Sequence, residues 1–170
     1  MDWSKFDQQV DNEALAKDVA EAQTDYPDIP DGEYDVTIRQ MELGTSKKKD
    51  DGSGEDPMLK IQFQIMAGEF KDQRIFYNGV MKAGDWQALQ IHNVLEMLRS
   101  LADAEDGDDE FKWHSFSKLD SVIANLYEEV GDVLDDENKI AEEGWHYKLE
   151  QKTNSKNANF KDISILEILE

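Results

Sequence analysis

The chain has 170 residues, of which 39 are acidic and 18 basic, and its formal net charge is −21. This length suits one domain, or one domain with an arm. The absence of cysteine excludes a disulfide framework, thiolate catalysis and a cysteine-based zinc site. No apolar run approaches the roughly 20 residues that span a membrane, and the N-terminus lacks the features of a signal peptide. We therefore expect a soluble, cytoplasmic protein.

The acidic charge is unevenly distributed along the chain. Residues 33–82 and 144–163, which have strand-like patterns, hold 12 of the 18 basic and 11 of the 39 acidic residues, a net charge of +1. The rest of the chain therefore has a net charge of −22. Phosphate binding needs Lys and Arg, so the overall charge argues against a nucleic-acid partner. The strand-like parts alone do not exclude one.

Residues 1–30 form an acidic N-terminal arm. Small apolar residues recur at helical spacing between positions 10 and 22 and predict a short helix, with Asp11 or Asn12 as its N-cap. This arm is either loosely packed or docks on a partner or a second subunit. Two prolines and a glycine within residues 26–32 mark its boundary with the sheet.

Five segments alternate apolar and polar residues, as half-buried β-strands do. In the first of them, Thr37, Arg39 and Met41 are expected on the outward face of the sheet. In the fourth, Trp145 is expected in the core. The five predicted strands are residues 33–43, 58–66, 71–80, 145–152 and 160–169.

Two amphipathic helices are predicted within an acidic insert at about residues 83–143. The first covers about 85–102, with Asp85 as its N-cap. The second covers about 117–134 and has Val133 on its apolar stripe. The acidic stretches that follow each helix are predicted to be loops.

This order of elements predicts a mostly β fold with a helical insert. The specific prediction is an OB-fold-like five-stranded antiparallel barrel over residues 31–170, with the helices between strands 3 and 4. An α+β sandwich is the alternative. The barrel is favoured because the two most polar loops, 44–57 and 153–159, fall between strands 1–2 and 4–5. The OB-fold uses these loops to hold oligonucleotides or oligosaccharides.

The sequence contains no recognisable motif for catalysis or cofactor binding. His92, His114 and His146 are scattered and lie outside any metalloprotease or serine-nucleophile motif. There is no dinucleotide-binding or Walker motif, and the acidic run 103–110 does not match a calcium-binding loop. We therefore expect a non-enzymatic protein with no catalytic residues, metal or cofactor.

Binding of a single nucleic-acid strand requires cations along a phosphate backbone and flat side chains on which bases stack. The outward face of the first three strands is predicted to carry both, with Phe76 beside Arg74 as the stacking residue. Gln62 and Asn78 add hydrogen-bonding groups. Alternatively, the cations are ordinary solvent-facing residues and Phe76 belongs to the core. The candidate binding residues are Arg39, Lys47, Lys48, Lys49, Lys60, Arg74, Phe76, Lys148, Lys152 and Lys156.

Four stretches carry a family resemblance: PDGEYDVTIRQMELGTSKK (30–48), DPMLKIQFQIMAGEFKDQRIFYNGVM (56–81), IHNVLEMLRSL (91–101) and NFKDISIL (159–166). In these the chain resembles a family of phage and prophage single-stranded DNA-binding proteins, first catalogued as a domain of unknown function. The resemblance implies an OB-like fold and a role in phage replication or recombination. The partner would be single-stranded DNA, coated without sequence preference, in the cytoplasm of the bacterial host cell.

A second hypothesis concerns the acidic parts of the chain. They could make it a protein-interaction module, or a DNA mimic that presents carboxylates to the basic groove of a host protein. The charge of −22 outside the strand-like parts motivates this hypothesis. Under the first hypothesis, the acidic helical insert would recruit replication or recombination proteins or shield the groove. The sequence leaves the oligomeric state open.

Overall fold

The first strand forms the centre of an antiparallel sheet. β1 (Gly32–Thr45) pairs with β2 (Pro57–Ile65) on one side and with β6 (His146–Thr153) on the other. β3 (Arg74–Val80) extends the sheet beyond β2, and β7 (Lys161–Leu169) extends it beyond β6. The strand order is therefore β3-β2-β1-β6-β7.

The chain forms two compact units, Met1–Pro30 and Asp31–Glu170. In the first unit, the Asp11 side chain accepts hydrogen bonds from the backbone N–H groups of Glu13 and Ala14 at 3.1 and 3.3 Å, which is the geometry of an N-cap. The computed structural model describes residues 29–46, 55–104, 109–156 and 161–169, together with residues 4, 8, 11–14 and 16. Most of the predicted N-terminal helix lies outside these residues.

The prediction of a mostly β chain with a five-stranded antiparallel sheet and two intervening helices is confirmed. The predicted closure into a barrel is not observed. Among the described residues, β3 and β7 each pair with one strand only and form the two edges of the sheet. Instead of a strand pairing, α1 (Gln87–Ala102) packs against both edge strands.

The core lies between one face of the sheet and the two helices. Alternate residues of β2 are buried because this strand lies inside the sheet and turns one face toward the helices. Tyr147 of β6 is fully buried, and its hydroxyl donates a 2.7 Å hydrogen bond to the carbonyl oxygen of Leu101 in α1. This bond satisfies the polar end of an otherwise apolar residue.

The helices begin and end near the predicted positions, with three differences. α1 has Trp86 as its N-cap, without a side-chain capping bond, so the prediction that Asp85 caps it is wrong. α2 (Phe116–Val130) begins after Ser115, whose hydroxyl oxygen accepts from the N–H of Lys118. It ends earlier than predicted, so Val133 is not on its stripe but in an exposed strand.

A short hairpin occupies residues 133–142, which the sequence pattern assigns to the end of the second helix and the loop after it. β4 (Val133–Leu134) pairs with β5 (Ile140–Glu142) as a separate two-stranded sheet. Two strands this short give too weak an alternation to be recognised in the sequence. Before α2 lies a single turn of 3-10 helix, Asp109–Phe111.

A β-bulge at Arg39 reverses the faces of β1. The pairing with β2 shifts between Ile38 and Gln40, so Arg39 has no partner of its own in β2. Beyond the bulge, Met41 lies opposite buried Ile61 and is itself buried. The prediction that Met41 faces outward is therefore wrong, because the extra residue moves every following side chain of β1 to the opposite face of the sheet.

Candidate nucleic-acid interface

The outward face of β1, β2 and β3 is polar and consists of cross-strand rows. Residues directly opposite each other in an antiparallel pair lie on the same face, so the register defines these rows. The first row is Glu42, Lys60 and Asn78; the second is Gln40, Gln62 and Phe76; the third is Thr37, Gln64 and Arg74. We call this surface the amide face.

Hydrogen bonds fix the side chains of the amide face relative to one another. The Gln62 amide nitrogen donates to the Gln40 side-chain oxygen at 3.0 Å, and Arg74 donates to the Gln62 oxygen at 3.4 Å. Gln64 donates to Asp72 at 3.4 Å. These side chains retain further donors and acceptors, because each amide has two donor hydrogens and two acceptor lone pairs.

Phe76 is the exposed aromatic residue of this face. Its side chain is 57% exposed, so the alternative that it belongs to the core is wrong. It lies two residues from Arg74 on the same strand and diagonally across from Lys60. Within the described part of the chain, neither cation forms an ion pair with a carboxylate. A cavity of about 100 Å³ is lined by Phe76, Lys60, Glu42 and the neighbouring amides.

Arg39 is more buried than Lys60, which is half-buried, and Arg74, which is exposed. It is only 8% exposed, and its guanidinium donates to the Gln64 side-chain oxygen at 3.1 Å and to the backbone carbonyl of Asn138. The guanidinium lies on the outward side of the sheet with Gln64, but the prediction that it is open to solvent is wrong, because the segment after α2 covers β1 at the bulge. The guanidinium holds that segment against the sheet.

A buried polar junction forms the boundary of the amide face. Asp132 is 4% exposed and accepts hydrogen bonds from the Thr37 hydroxyl and the Gly144 N–H, both at 2.7 Å. Burial raises the pKa of Asp132, and the two hydrogen bonds offset part of that rise. The Tyr127 hydroxyl donates to the Arg39 carbonyl oxygen at 2.7 Å. Sequence reasoning missed this junction, because Asp132 is one carboxylate among 39 in the sequence.

Comparison with known families identifies the family of this chain. A family model described as "Protein of unknown function (DUF669)" matches residues 15–121. The chain belongs to this family. The DUF669 region contains β1, β2, β3 and α1, and therefore the whole amide face, whereas β6 and β7 lie beyond it. No curated protein matches the chain significantly.

The predicted lysines beyond the DUF669 region are partly neutralised. Lys148 lies 3.1 Å from Glu167, and this hydrogen bond and ion pair raise the pKa of Lys148. Lys152 lies 3.3 Å from Glu150. Lys156 is exposed in the loop after β6. Lys47, Lys48 and Lys49 lie outside the described residues.

The surroundings of His146 are also acidic. Its ring nitrogens lie 2.7 Å from Asp35 and 3.1 Å from Glu143. Burial alone would lower the pKa of His146, but the hydrogen bonds and charges of the two carboxylates outweigh it and raise that pKa. Trp145, predicted in the core, is 37% exposed. This half of the outward face therefore differs in charge from the amide face.

The described residues give no indication of a metal site or a membrane span. They contain no group of three or more His, Asp or Glu side chains placed to hold a metal ion. None of the described helices is both long enough and apolar enough to cross a membrane.

Proposed function

We propose that this chain binds single-stranded DNA through the amide face, without catalysing a reaction, during phage replication or recombination. The observation that supports this most directly is the exposed ring of Phe76 between Lys60 and Arg74, which form no ion pair with any described carboxylate. The family resemblance in the sequence supports the phage context. We also infer that the open sheet is an OB-like barrel that is incomplete between β3 and β7.

The chemistry of the face fits an unpaired strand. A base stacking on the Phe76 ring would contribute about 1–3 kcal/mol, whatever its identity. Lys60 and Arg74 would contact the phosphates on either side. The side-chain amides of Gln40, Gln62 and Gln64 can donate to and accept from base edges of any kind, which suits binding without sequence preference.

The net charge limits this binding to a local surface. A chain of −21 repels a phosphate backbone at long range, and the lysines of β6 are paired with Glu150 and Glu167. The strand would therefore follow β2 and β3 and avoid β6. We expect modest affinity that depends on few cations.

The test is fluorescence anisotropy with a labelled oligo-dT of about 15 nucleotides, near the upper site size of an OB domain, at low salt. Phe76→Ala should weaken binding about 5- to 150-fold, the equivalent of one stacked base. Trp86→Ala is the matched control, because Trp86 is 70% exposed but lies outside the amide face. Equal losses in both variants, or no binding by the unmodified chain, would contradict the proposal.

One observation favours the second candidate, an acidic module that mimics DNA. The cations of β6 are paired with carboxylates of β6 and β7, so this side of the sheet presents no excess positive charge. A chain that fails to bind oligo-dT but inhibits a basic, non-specific nuclease would support this candidate. Inhibition should then decline as salt rises, since it would depend on charge.

A further inference from the structure

An open cleft of about 460 Å³ separates the two edge strands of the sheet, and α1 forms its floor. One wall consists of residues 76–78 of β3, and the other of residues 161–165 of β7. Alternate residues of a strand point to opposite faces. A wall of consecutive residues is therefore the backbone edge of a strand and not one of its faces.

Both edges have backbone groups without a strand partner. In the described residues, β3 pairs with β2 alone and β7 pairs with β6 alone. Each strand thus turns a row of N–H and C=O groups toward the cleft. Such a row is a template on which another extended chain can pair.

The side chains around the cleft provide the alternating environment of a strand. On the inward side lie Tyr77, Ile163 and Ile165, where Ile165 is opposite buried Leu149. On the outward side lie the polar residues Asn78, Asp162 and Ser164, together with the exposed ring of Phe76. A strand in this position would meet apolar groups at every second residue and, along β7, polar groups at the residues between.

The charge around the cleft favours a basic occupant. Asp162 accepts hydrogen bonds from the Asn154 amide at 3.0 and 3.2 Å but forms no ion pair with a described cation. Lys161, at the same wall, is already paired with Asp31 at 3.0 Å. The chain as a whole has a net charge of −21. Lysine or arginine at the outward positions of an added strand would complement these charges.

We propose that the cleft accepts an extended peptide of alternating apolar and basic residues, which pairs with the open edges as an additional strand. Apolar side chains would point toward α1, and basic side chains toward Asp162. Backbone hydrogen bonds would supply the affinity and the alternating side chains the specificity. The cleft shares Phe76 and Asn78 with the amide face, but the peptide test uses no DNA and its outcome does not depend on DNA binding.

The probe is a labelled nine-residue peptide of alternating lysine and valine, which matches β7 in length. Two controls separate pairing from general attraction to an acidic protein. One replaces every lysine with glutamate, and the other replaces alternate valines with proline and so removes backbone donors while keeping the charge. The lysine–valine peptide should raise the anisotropy and shift the backbone amide NMR signals of β3 and β7, and both controls should fail.

Variants of the chain test the orientation of the peptide. Asp162→Lys should weaken binding of the lysine peptide about five-fold and improve binding of the glutamate peptide. Glu142→Lys, an exposed residue of β5, changes the net charge equally and should leave both affinities unchanged. Ser100→Trp, which fills the floor of the cleft, should abolish binding while circular dichroism reports an intact fold.

Three results would overturn the proposal. The first is equal binding of the proline-containing peptide. The second is an equal effect of Glu142→Lys and Asp162→Lys, which would indicate general electrostatic attraction. The third is a dimer that Ser100→Trp dissociates and that binds no peptide, because the cleft would then hold a second copy of the chain.

Discussion

The Thr37 hydroxyl donates a 2.7 Å hydrogen bond to the Asp132 carboxylate, which lies 95 residues further along the chain. The second oxygen of the same carboxylate accepts from the Gly144 N–H, and the Asp132 N–H donates to the Ile38 carbonyl oxygen at 2.8 Å. One buried residue thus connects β1, the end of α2 and the approach to β6. Thr37 is on the outward face yet fully buried, because this connection covers it.

Loss of the Thr37 hydroxyl should destabilise the fold. Thr37→Val keeps the shape but leaves one oxygen of a buried carboxyl without its donor, so the free energy of unfolding should fall by about 1–3 kcal/mol. Urea unfolding measures this change. Thr45→Val is the control: Thr45 bonds Glu55 at an exposed position, so its effect should stay within about 0.5 kcal/mol. Equal effects would mean that burial of the bond has no importance.

Stability should decrease as pH rises past the ordinary pKa of histidine, because of His146. Folding raises the pKa of His146 above its unfolded value of 6.5. At pH values between the unfolded and the folded pKa, the native chain therefore binds more protons than the unfolded chain. This contribution is complete below pH 6.5 and is lost as pH rises through the folded pKa. For a partly exposed pair it should be on the order of 0.5 kcal/mol.

The measurement is urea unfolding at about pH 6 and about pH 8, on either side of the histidine range. His146→Gln should reduce the difference between the two pH values, since glutamine does not titrate. His92→Gln controls for removal of an exposed histidine elsewhere. A pH dependence that persists in His146→Gln would assign it to other groups.

Arg39 should contribute to stability more than to DNA affinity. Its guanidinium bonds Gln64 and the Asn138 carbonyl, so Arg39→Ala should lower the free energy of unfolding by about 1–3 kcal/mol. Arg39→Lys should recover only part of the lost stability, because the lysine ammonium lacks the planar guanidinium group that donates to two acceptors at once. Affinity for oligo-dT, measured on the folded fraction, should change less than in Phe76→Ala. A larger loss of affinity than of stability would place Arg39 in the interface.

The salt dependence of DNA binding should correspond to two cations. If Lys60 and Arg74 are the main phosphate contacts, log K should fall against log salt with a slope of about −1.4. The double variant Lys60→Ala with Arg74→Ala should remove most of that slope. Lys118→Ala with Lys139→Ala removes the same charge from exposed positions outside the face and should preserve it. A slope near −7 would instead require about ten contacts, spread over a much larger surface.

The alternation of β2 can be read from the sequence because, from Leu59 to Ile65, its inward residues are apolar and its outward residues polar. The residues on the inward face of β1 can be assigned from the sequence only up to Arg39. A bulge cannot be recognised from composition. The face to which each residue beyond it points can therefore be assigned only from the pairing of β1 with β2. Phe76 was correctly placed outward, by its alternation with Ile75 and Tyr77.

The polar junction shows a different limit of sequence reasoning. Thr37 and Asp132 are distant in sequence, and neither residue type indicates burial. The pairing of Lys148 with Glu167 was similarly hidden, because β6 and β7 must be aligned before opposite residues can be named. Local pattern therefore identifies the five strands of the sheet, the two helices and the outward face of β2 and β3, but not the β4–β5 hairpin. The contacts that delimit that face are non-local.

The two open edges of the sheet have a consequence for solubility. Exposed strand edges on separate molecules tend to pair and so to aggregate. A net charge of −21 makes copies of the chain repel one another, which opposes such pairing at ordinary ionic strength. The same carboxylates that weaken attraction to phosphate thus keep concentrated chains apart. A change that added many cations to improve DNA affinity would sacrifice this colloidal protection.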